Sequence, residues 1–279
     1  GDHVRCMAQW SGGTDPVVLL GTSRGRMVFW DVRHMREINT LSHPAAHGSI
    51  EALALDPQRH WVCVGTSNGY VALWDTRFHV RLQTWRTSNH ARIRACALHP
   101  TRPHVLTVAT SAVVSLDLGT GAVLETFYSR EFGEHVPNIT LESCADEAPS
   151  DTCWDGSYAL CVGADGYMSS PAESPRGWIV TGGSDRVVRF WDLGRADTCT
   201  AFGSQIHGEF TMTHHRYIHT FQCIEAPPKR SPLHIHQQVK DAMGTLTSHQ
   251  DTITALAVIE APYRCVVAGD RSGVLCVWE

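Results

Sequence analysis

A short motif, Gly-Thr-Ser-x-Gly followed five residues later by Trp-Asp, occurs twice in this chain. The copies occupy residues 21–31 (GTSRGRMVFWD) and 65–75 (GTSNGYVALWD), so the spacing is 44 residues. The same pattern reappears at 182–192 and 268–279, with a weaker copy at 108–117. Each copy combines an apolar run, a polar turn and a second alternating run, which is typical of two antiparallel strands joined by a tight turn. The chain is therefore expected to be built from repeats.

A repeat of about 40 to 45 residues that ends in Trp-Asp is typical of a WD-repeat propeller blade, in which four antiparallel strands stack around a channel. We predict an all-β WD-repeat β-propeller with five readable blades. The predicted blades lie near residues 1–36, 37–79, 80–122, 123–197 and 198–279.

Two intervals are too long for one repeat, which predicts insertions at 128–177 and 203–248. The strand-like run 216–225 leaves open a sixth, degenerate blade inside the second insertion. The first insertion holds nine acidic residues against Arg130 and Arg176, a net charge of −7. Because an acidic loop contributes little core, we expect deletion of 131–173 to be tolerated by the fold.

Composition excludes several classes of protein. The chain has no apolar run near 18 residues, so it is not expected to span a membrane by itself. The residues outside the acidic insertion have a net charge of about +2 and form no basic stripe, so we expect no nucleic-acid partner. Several of the ten cysteines lie in strand runs, no CxxC occurs, and no signal segment is recognisable, which favours reduced thiols in the cytoplasm.

An enzymatic interpretation finds little support. Residues 21–25 and 65–69 both match GxSxG, the nucleophile elbow of α/β-hydrolases, but that motif needs a strand-to-helix turn and both copies run into strands. Six of the 17 histidines cluster in the second insertion without a third ligand at a metal-site spacing. We therefore predict no catalytic residue, no metal and no cofactor.

The polar and aromatic residues of the repeats divide into two groups. WD blades are commonly tied by buried hydrogen bonds among His, Asp, Ser or Thr, and Trp, because an unpaired buried polar group is costly. We assign a structural role to Trp30, Trp74, Thr181, Asp185, Trp191, His249 and Trp278. Trp85 lies outside the repeated tryptophan position and is expected to matter less.

The turns between paired strands are where a propeller varies its surface chemistry. We predict partner-binding residues in these turns, with His47, His90 and His249 nearby. The predicted partner-binding residues are Arg24, Asn68, Asp185, Arg186 and Arg271.

The order of the motifs is more specific than any one of them. GTSNGYVALWDTRFHVRLQTW, ARIRACALHPTRPHVLTVA, a long insertion, GGSDRVVRFWDL, a second insertion and AGDRSGVLCVWE follow one another. From about residue 16 onward this order resembles the C-terminal WD-repeat domain of the phosphoinositide 3-kinase regulatory subunit 4 family, which are vacuolar-protein-sorting scaffolds with a kinase-like domain and HEAT repeats. None of that family's kinase motifs falls within these residues.

The resemblance implies the C-terminal part of a seven-bladed propeller, with the kinase-like domain upstream. It further implies a non-catalytic subunit of the class III phosphatidylinositol 3-kinase complex, acting in autophagy and endosomal or vacuolar sorting. Expected partners are the lipid kinase catalytic subunit and the coiled-coil regulatory subunits. The expected location is cytoplasmic, peripheral on endosomal, vacuolar or autophagic membranes through the complex. The alternative is a WD-repeat substrate receptor or adaptor of another complex, such as a ubiquitin ligase.

Overall fold

The structure is a computed structural model. It describes residues 1–10, 16–87, 90–110, 112–129, 157–163, 177–194, 199–203, 210–216, 219–225, 234–236, 249–259 and 265–278. The regular secondary structure of these residues is strand, apart from one short 3-10 turn at Ala45–His47.

The strands form five antiparallel sheets within the described ranges. The first sheet contains β1 (Val4–Gln9), β2 (Val17–Thr22), β3 (Arg26–Asp31) and β4 (Arg36–Ser42). The second contains β5 (Ile50–Leu55), β6 (Trp61–Thr66), β7 (Tyr70–Asp75) and β8 (Val80–Arg86). The third begins with β9 (Ala95–Leu98), β10 (Val105–Ala109), β11 (Val113–Asp117) and β12 (Val123–Ser129).

The last two sheets repeat this plan with one change. The fourth sheet contains β13 (Ser157–Gly163), β14 (Trp178–Gly183), β15 (Val187–Asp192) and β16 (Thr200–Gly203). Between the fourth and fifth sheets the chain forms β17 (Phe210–Arg216), β18 (His219–Glu225) and β19 (His234–His236). The fifth sheet contains β20 (Ile253–Ile259), β21 (Cys265–Asp270) and β22 (Leu275–Trp278), and β19 pairs with β22 as its outer strand.

The first strands of successive sheets contact one another in the order β1, β5, β9, β13 and β20. These are the inner strands, and the other strands of each sheet extend outward from them. Sheets that share an axis and stack on their neighbours are the blades of a propeller. The fold is a WD-repeat β-propeller, as the motif predicts.

The sheets are offset from the sequence repeats by one strand. The predicted block 37–79 covers most of β4, the outer strand of the first sheet, and then β5, β6 and β7 of the second. Block 80–122 likewise supplies β8 to the second sheet before it begins the third. Each repeat therefore hydrogen-bonds into the sheet before its own, which fastens neighbouring blades together.

The run 216–225 is not a sixth blade. Its residues belong largely to β18, which pairs with β17, and β17 adds to β12 so that the third sheet has six strands. The register places Glu125 opposite Arg216 and Ser129 opposite Met212. The hairpin therefore covers the outer edge of the third blade, where an uncovered strand would offer unpaired backbone groups.

The expectation that deletion of 131–173 is tolerated is wrong, because that range contains β13. This strand is the inner strand of the fourth sheet and pairs with β14 from Ser157 to Gly163. Ala159 is buried in the core beside Trp178, and Cys161 packs against the same cluster. Its apolar residues, 158–162, lie within the acidic insertion and apart from the repeated motif, which explains why the repeat pattern missed the strand.

Apolar layers fill the spaces between neighbouring sheets. Leu19, Met27 and Phe29 of the first sheet pack with Val62 and Trp74 of the second. Between the third and fourth sheets, the rings of Phe127 and Trp191 meet edge to face with centroids 5.3 Å apart. Such contacts remove apolar surface from water and are the dominant favourable term in folding.

Two tryptophans differ from their expected roles. Trp85, although outside the repeated position, is 6% exposed and packs with Leu106 and Leu116 between the second and third sheets. The expectation that it matters less is therefore wrong. Trp30, at the repeated position of the first sheet, is only half-buried. Val4 and Met7, on the inner strand of the same sheet, are exposed.

The glycine that precedes Thr or Gly in the motif marks the closest approach between blades. A Cβ at Gly21 would lie 2.5 Å from Cγ2 of Ile50, and one at Gly182 would lie 2.6 Å from Cγ2 of Ile253. Gly65 faces the same clash with Ile93. In each case the isoleucine stands at or just before the next inner strand and is fully buried. The motif glycine is thus required for blade stacking.

Substituting Gly65→Ala should destabilise the protein by about 1 to 3 kcal/mol, because the new methyl group overpacks against Ile93. In an Ile93→Leu background, which removes the β-branched methyl group, the cost of Gly65→Ala should fall by at least about 0.5 kcal/mol. Urea denaturation of the four proteins in this cycle measures both quantities. Gly119→Ala, in an exposed turn, is the control and should stay within about 1 kcal/mol of wild type. Strict additivity of the two substitutions would contradict the contact.

Candidate protein-docking surface

Four tight turns lie at one end of the propeller, between the second and third strands of their sheets. We call them the turn surface, and they comprise residues 23–25, 67–69, 184–186 and 271–273. The connections between sheets run along the same end, because the backbone N–H of His43 donates to Gly25 O at 2.9 Å and that of Thr87 donates to Gly69 O at 2.9 Å. These hydrogen bonds hold the turns rigidly.

Arg186 has an unusual backbone in this surface. The equivalent positions in the other turns are Gly25, Gly69 and Gly273, with φ of 72°, 77° and 91°. Arg186 occupies the same left-handed region with φ 64°, and its side chain is exposed. A side chain larger than asparagine rarely adopts this conformation, which costs roughly 1 to 2 kcal/mol. Strain of this kind tends to accumulate at functional positions.

Three other predicted partner-binding residues lie on the same surface. Arg24 is exposed, and its backbone N–H donates to Asp2 Oδ1 at 3.1 Å. Arg271 is exposed on the turn that follows β21, with its N–H bonded to Thr252 O at 2.9 Å. Asn68 is half-buried and donates from Nδ2 to Ala46 O at 2.8 Å. Arg24 and Arg271 therefore present their guanidinium groups, whereas the Asn68 amide ties two loops together.

Asp185 faces the protein rather than the solvent. Its carboxylate is 5% exposed and pairs with Arg189, which is equally buried on β15. In the same blade Trp191 Nε1 donates to Thr181 Oγ1 at 3.0 Å. Removing one partner of a buried ion pair leaves an uncompensated charge, so Asp185 is placed to stabilise the blade. Asp185 was expected both to stabilise the blade and to bind a partner. Its buried carboxylate is placed for the first role and not for the second.

The histidines expected near the turn surface are mostly internal. His47 is buried and stacks on Tyr70 with ring centroids 4.0 Å apart and an interplanar angle of 14°. His249 is buried beside Trp278, with centroids 5.5 Å apart. His90 is half-buried and has a positive φ of 52°. The surface is therefore defined by arginines and not by imidazoles.

His43 is a structural residue that the sequence analysis did not identify. Trp74 Nε1 donates to His43 Nε2 at 3.1 Å, so this histidine must be neutral to accept the bond. Burial, together with the neighbouring charges of His47 and Arg81, lowers the pKa of His43 to about 3. Trp74 lies 31 residues after His43, and Trp278 lies 29 residues after His249. A histidine about 30 residues before the repeated tryptophan is the sequence signal by which His43 could have been found.

The last blade uses an aspartate that was also missed. Asp270 Oδ1 accepts from Ser272 Oγ at 2.7 Å and from the N–H of Val274 at 3.0 Å, and Oδ2 lies 3.4 Å from Nδ1 of His249. Burial opposes ionisation of Asp270, but the hydrogen bonds from Ser272 and three backbone N–H groups hold its pKa at about 2. Asp270 is therefore the carboxylate that orders the turn of the last blade.

The two GxSxG serines are engaged in structural hydrogen bonds. Ser23 Oγ accepts from the N–H of His3 and donates to Asp2 Oδ1, both at 3.0 Å. Ser67 Oγ accepts from the N–H of Ser49 at 3.0 Å and lies 3.3 Å from Asn68 Oδ1. Both motifs lie in strand–turn–strand segments, so the helix that follows a nucleophile elbow is missing from these described segments.

Neither a metal-binding cluster nor a membrane-spanning helix occurs within the described ranges. No group of three or more His, Cys, Asp or Glu there is placed to hold a metal ion. Within the same ranges no helix has the length and apolar character needed to cross a membrane. Five of the six clustered histidines lie on β17, β18 and β19, whose side chains are outside the described set, and His207 lies outside the described residues.

Comparison with known proteins agrees with the geometry. The family model of the WD domain, G-beta repeat, matches residues 36–75 and 174–192. The putative serine/threonine-protein kinase VPS15 of Komagataella pastoris is 21% identical over 95% of this chain, and serine/threonine-protein kinase VPS15 of Arabidopsis thaliana is 22% identical over 95%. This chain resembles VPS15 proteins. The probable serine/threonine-protein kinase vps15 of Dictyostelium discoideum is 35% identical over 87 residues, or 31% of the chain.

The VPS15-like chain spans only part of those relatives, 21% of the Komagataella protein, 20% of the Arabidopsis protein and 4% of the Dictyostelium protein. The first match of the family model, 36–75, begins with β4 and ends with β7. It therefore covers the outer strand of the first sheet and the first three strands of the second, which is the same offset that the sheets of this VPS15-like chain display.

Stability should fall in mild acid because of His43. Its folded pKa lies below its unfolded value of 6.5, so the unfolded state binds a proton first. The contribution of neutral His43 to the free energy of unfolding is therefore fully present above about pH 6.5. It is lost as the pH falls from there toward 3. Between pH 7.5 and 5 wild type should lose about 2 kcal/mol more unfolding free energy than His43→Gln, whose amide oxygen can still accept from Trp74.

Urea denaturation at several pH values measures this difference. The control is His104→Gln, since His104 is exposed. This variant should show the same change of unfolding free energy with pH as wild type. If the unfolding free energy of His43→Gln changes with pH as much as that of wild type, another group accounts for the acid sensitivity.

Proposed function

We propose that this chain is a non-catalytic protein-interaction scaffold that docks partners on the turn surface. The observation that supports the proposal most is Arg186, an exposed arginine that retains a strained backbone where three equivalent turns have glycine. Glycine at that position would relieve the strain without altering the turn. An arginine kept there at a cost to stability is best explained by a contact that its side chain makes.

The chemistry of the turn surface suits a protein partner. Arg24, Arg186 and Arg271 are exposed on turns fastened by backbone hydrogen bonds, so little conformational entropy is lost from the backbone on binding. Arginine is enriched at the energetic centres of protein interfaces, where its planar guanidinium can bind a carboxylate with two hydrogen bonds. Asp185 and Asn68, which are satisfied within the protein, support these turns.

The likeness to VPS15 proteins supports a particular complex. We infer that the chain acts in a class III phosphatidylinositol 3-kinase complex, with the lipid kinase catalytic subunit and coiled-coil regulatory subunits as partners. Its work would then be in autophagy and in endosomal or vacuolar sorting. It would be cytoplasmic and would reach those membranes through the complex.

The test measures partner recovery by quantitative mass spectrometry after affinity purification of the tagged 279-residue chain from cells. Wild type should recover lipid kinase subunits. The double variant Arg186→Glu with Arg271→Glu should recover at least about tenfold less, as loss of two interface arginines predicts. The single variant Arg186→Gly should also bind less, and it should unfold at the same or a higher denaturant concentration because its backbone strain is relieved.

Arg59→Gly is the matched control. Arg59 is exposed and has a φ of 63°, but it lies on the turn between β5 and β6 at the other end of the strands. The substitution should relieve comparable strain and leave partner recovery unchanged. Recovery of a ubiquitin-ligase adaptor without lipid kinase subunits would instead favour a substrate receptor.

A further inference from the structure

Two turns of neighbouring sheets expose large apolar side chains at the end of the strands opposite the turn surface. They join β3 to β4 and β7 to β8, the third and fourth strands of the first two sheets. We call residues 32–38 and 76–82 the apolar turn pair. Exposed apolar patches mark interaction sites. Of the eleven large apolar residues that are exposed in the described part of the chain, six belong to this pair: Val32, Met35, Ile38, Phe78, Val80 and Leu82.

A buried aspartate builds each of these turns. Asp31 Oδ1 accepts from the backbone N–H groups two and three residues later, at 2.8 and 3.2 Å. Asp75 Oδ1 accepts from the equivalent groups at 2.8 and 3.1 Å, and Asp117 builds the same turn in the third sheet with both bonds at 2.8 Å. Because these bonds use only backbone N–H groups of the turn, they do not determine which side chains the turn displays.

The turn of the third sheet shows that the fold does not require large apolar residues here. Its sequence after Asp117 includes Gly119, Thr120 and Gly121. The fourth residue after the aspartate is left-handed in all three sheets, with φ of 50° at Met35, 57° at His79 and 73° at Gly121. Glycine adopts this conformation without steric cost, whereas methionine does so at a cost to stability. Folding therefore does not explain Met35, whose side chain is strained into solvent.

The two turns of the pair are neighbours in space. The rings of Phe29 on β3 and His79 in the second turn meet edge to face, with centroids 5.9 Å apart. Phe29 lies two residues before Asp31, which begins the first turn. Ile38 and Leu82 are the extra residues of equivalent bulges in β4 and β8. The exposed apolar residues therefore occupy matching positions on two adjoining blades.

The exposed charge of the apolar turn pair is mainly positive. Arg36 and Arg81 are exposed, and neither forms an ion pair with any residue that the structure describes. Asp31 and Asp75 are buried in their turns, so Glu37 is the one exposed acid between 31 and 38 or between 75 and 82. A ligand that approaches this surface meets apolar side chains flanked by arginines. Such a surface is complementary to a ligand with apolar and acidic groups.

An added β-strand would not cover this surface. In the third sheet β17 pairs with β12 from Glu125 onward, beyond the bulged residue Leu124. The corresponding part of β4 begins at Asn39, after the bulged Ile38. A strand bound in that way would leave the turn with Met35 uncovered, and bulges themselves discourage strand addition. Side chains that project from a helix can reach the turn without pairing to the edge.

We propose that the apolar turn pair binds an amphipathic helix of a partner protein whose apolar face is flanked by Asp or Glu. Apolar side chains at positions i, i+3, i+4 and i+7 would cover Met35 and Phe78, and the acidic side chains would accept hydrogen bonds from Arg36 and Arg81. An anionic membrane fits less well, because the exposed acid Glu37 would face the lipid phosphates. This surface is separate from the turn surface, so the proposal and the proposed function can fail independently.

Photo-crosslinking in cells tests the kind of partner. The tagged 279-residue chain carries p-benzoylphenylalanine in place of Phe78, and mass spectrometry identifies the crosslinked peptide. One segment of a partner protein should be recovered, with apolar residues at helical spacing and Asp or Glu beside them. The same photo-reactive residue in place of Ile259, which is exposed on the fifth sheet, is the control and should not recover that segment.

The recovered segment is then made as a fluorescein-labelled peptide, and its binding to the 279-residue chain is measured by anisotropy. The double variant Met35→Gly with Phe78→Thr introduces the residues of the third turn. It should bind at least about tenfold more weakly, because two apolar contacts are lost. Its melting temperature should equal or exceed that of wild type, because the strain at residue 35 is relieved. Ile259→Thr, which removes an exposed apolar residue elsewhere, should bind as wild type does.

Charge variants separate an acidic helix from other apolar ligands. Arg36→Glu with Arg81→Glu should weaken binding of the peptide at least about tenfold, and Arg36→Lys with Arg81→Lys should retain most of it, because lysine keeps the charge. Circular dichroism should show that the peptide gains helix on binding.

Several results would overturn the proposal. They are recovery of no protein segment, recovery of a segment from a second copy of this chain, and recovery of a segment that lacks helical spacing or acidic residues. Wild-type affinity of the Met35→Gly, Phe78→Thr variant would also overturn it. So would anionic phospholipid vesicles that sediment with wild type and not with this variant, if the peptide does not bind.

Discussion

The stacking of neighbouring sheets depends on one steric constraint, the absence of a side chain at the motif glycine. Gly21, Gly65 and Gly182 each receive the isoleucine that begins the next blade, and a Cβ there would overlap that side chain. The isoleucines are fully buried, so the contact brings each inner strand against the second strand of the previous blade. Because protein interiors are close-packed, even one added methyl group would have to push the blades apart.

The polar residues of the blades serve the same stacking. Trp74 and Trp191 fill the layers between sheets, and each indole N–H is satisfied inside the protein, by His43 and Thr181 respectively. These two blades meet the requirement with different acceptors, an imidazole nitrogen and a hydroxyl oxygen. Between them the tryptophan position is kept while the hydrogen-bond acceptor varies.

Much of the fold could be predicted from the sequence, because strand–turn–strand units with glycine turns repeat at a nearly constant spacing. The four strands of the second blade follow directly from residues 50–86. The inner strand β13 was missed although residues 158–162 are all apolar, because the strand lies within the acidic insertion and outside the repeated motif. The hairpin β17–β18 has a clear strand pattern, but nothing in that pattern indicates which sheet it joins.

The candidate surfaces were accessible to prediction to different degrees. Turn residues such as Arg24, Arg186 and Arg271 can be located from the motif, and only the backbone angle of Arg186 sets it apart. The inward pairing of Asp185 depends on Arg189, a residue on a strand whose burial the pattern did not reveal.

Hydrogen–deuterium exchange of β13 tests the central claim, that five sheets stack through their inner strands, most directly. Amide groups in a paired inner strand exchange only when the protein opens locally or globally. The amides of 157–163 that pair with β14 should therefore exchange as slowly as those of β5, the inner strand of the second sheet. Rapid exchange throughout 157–163, with β5 still protected, would contradict the assignment of this segment as the inner strand of the fourth blade.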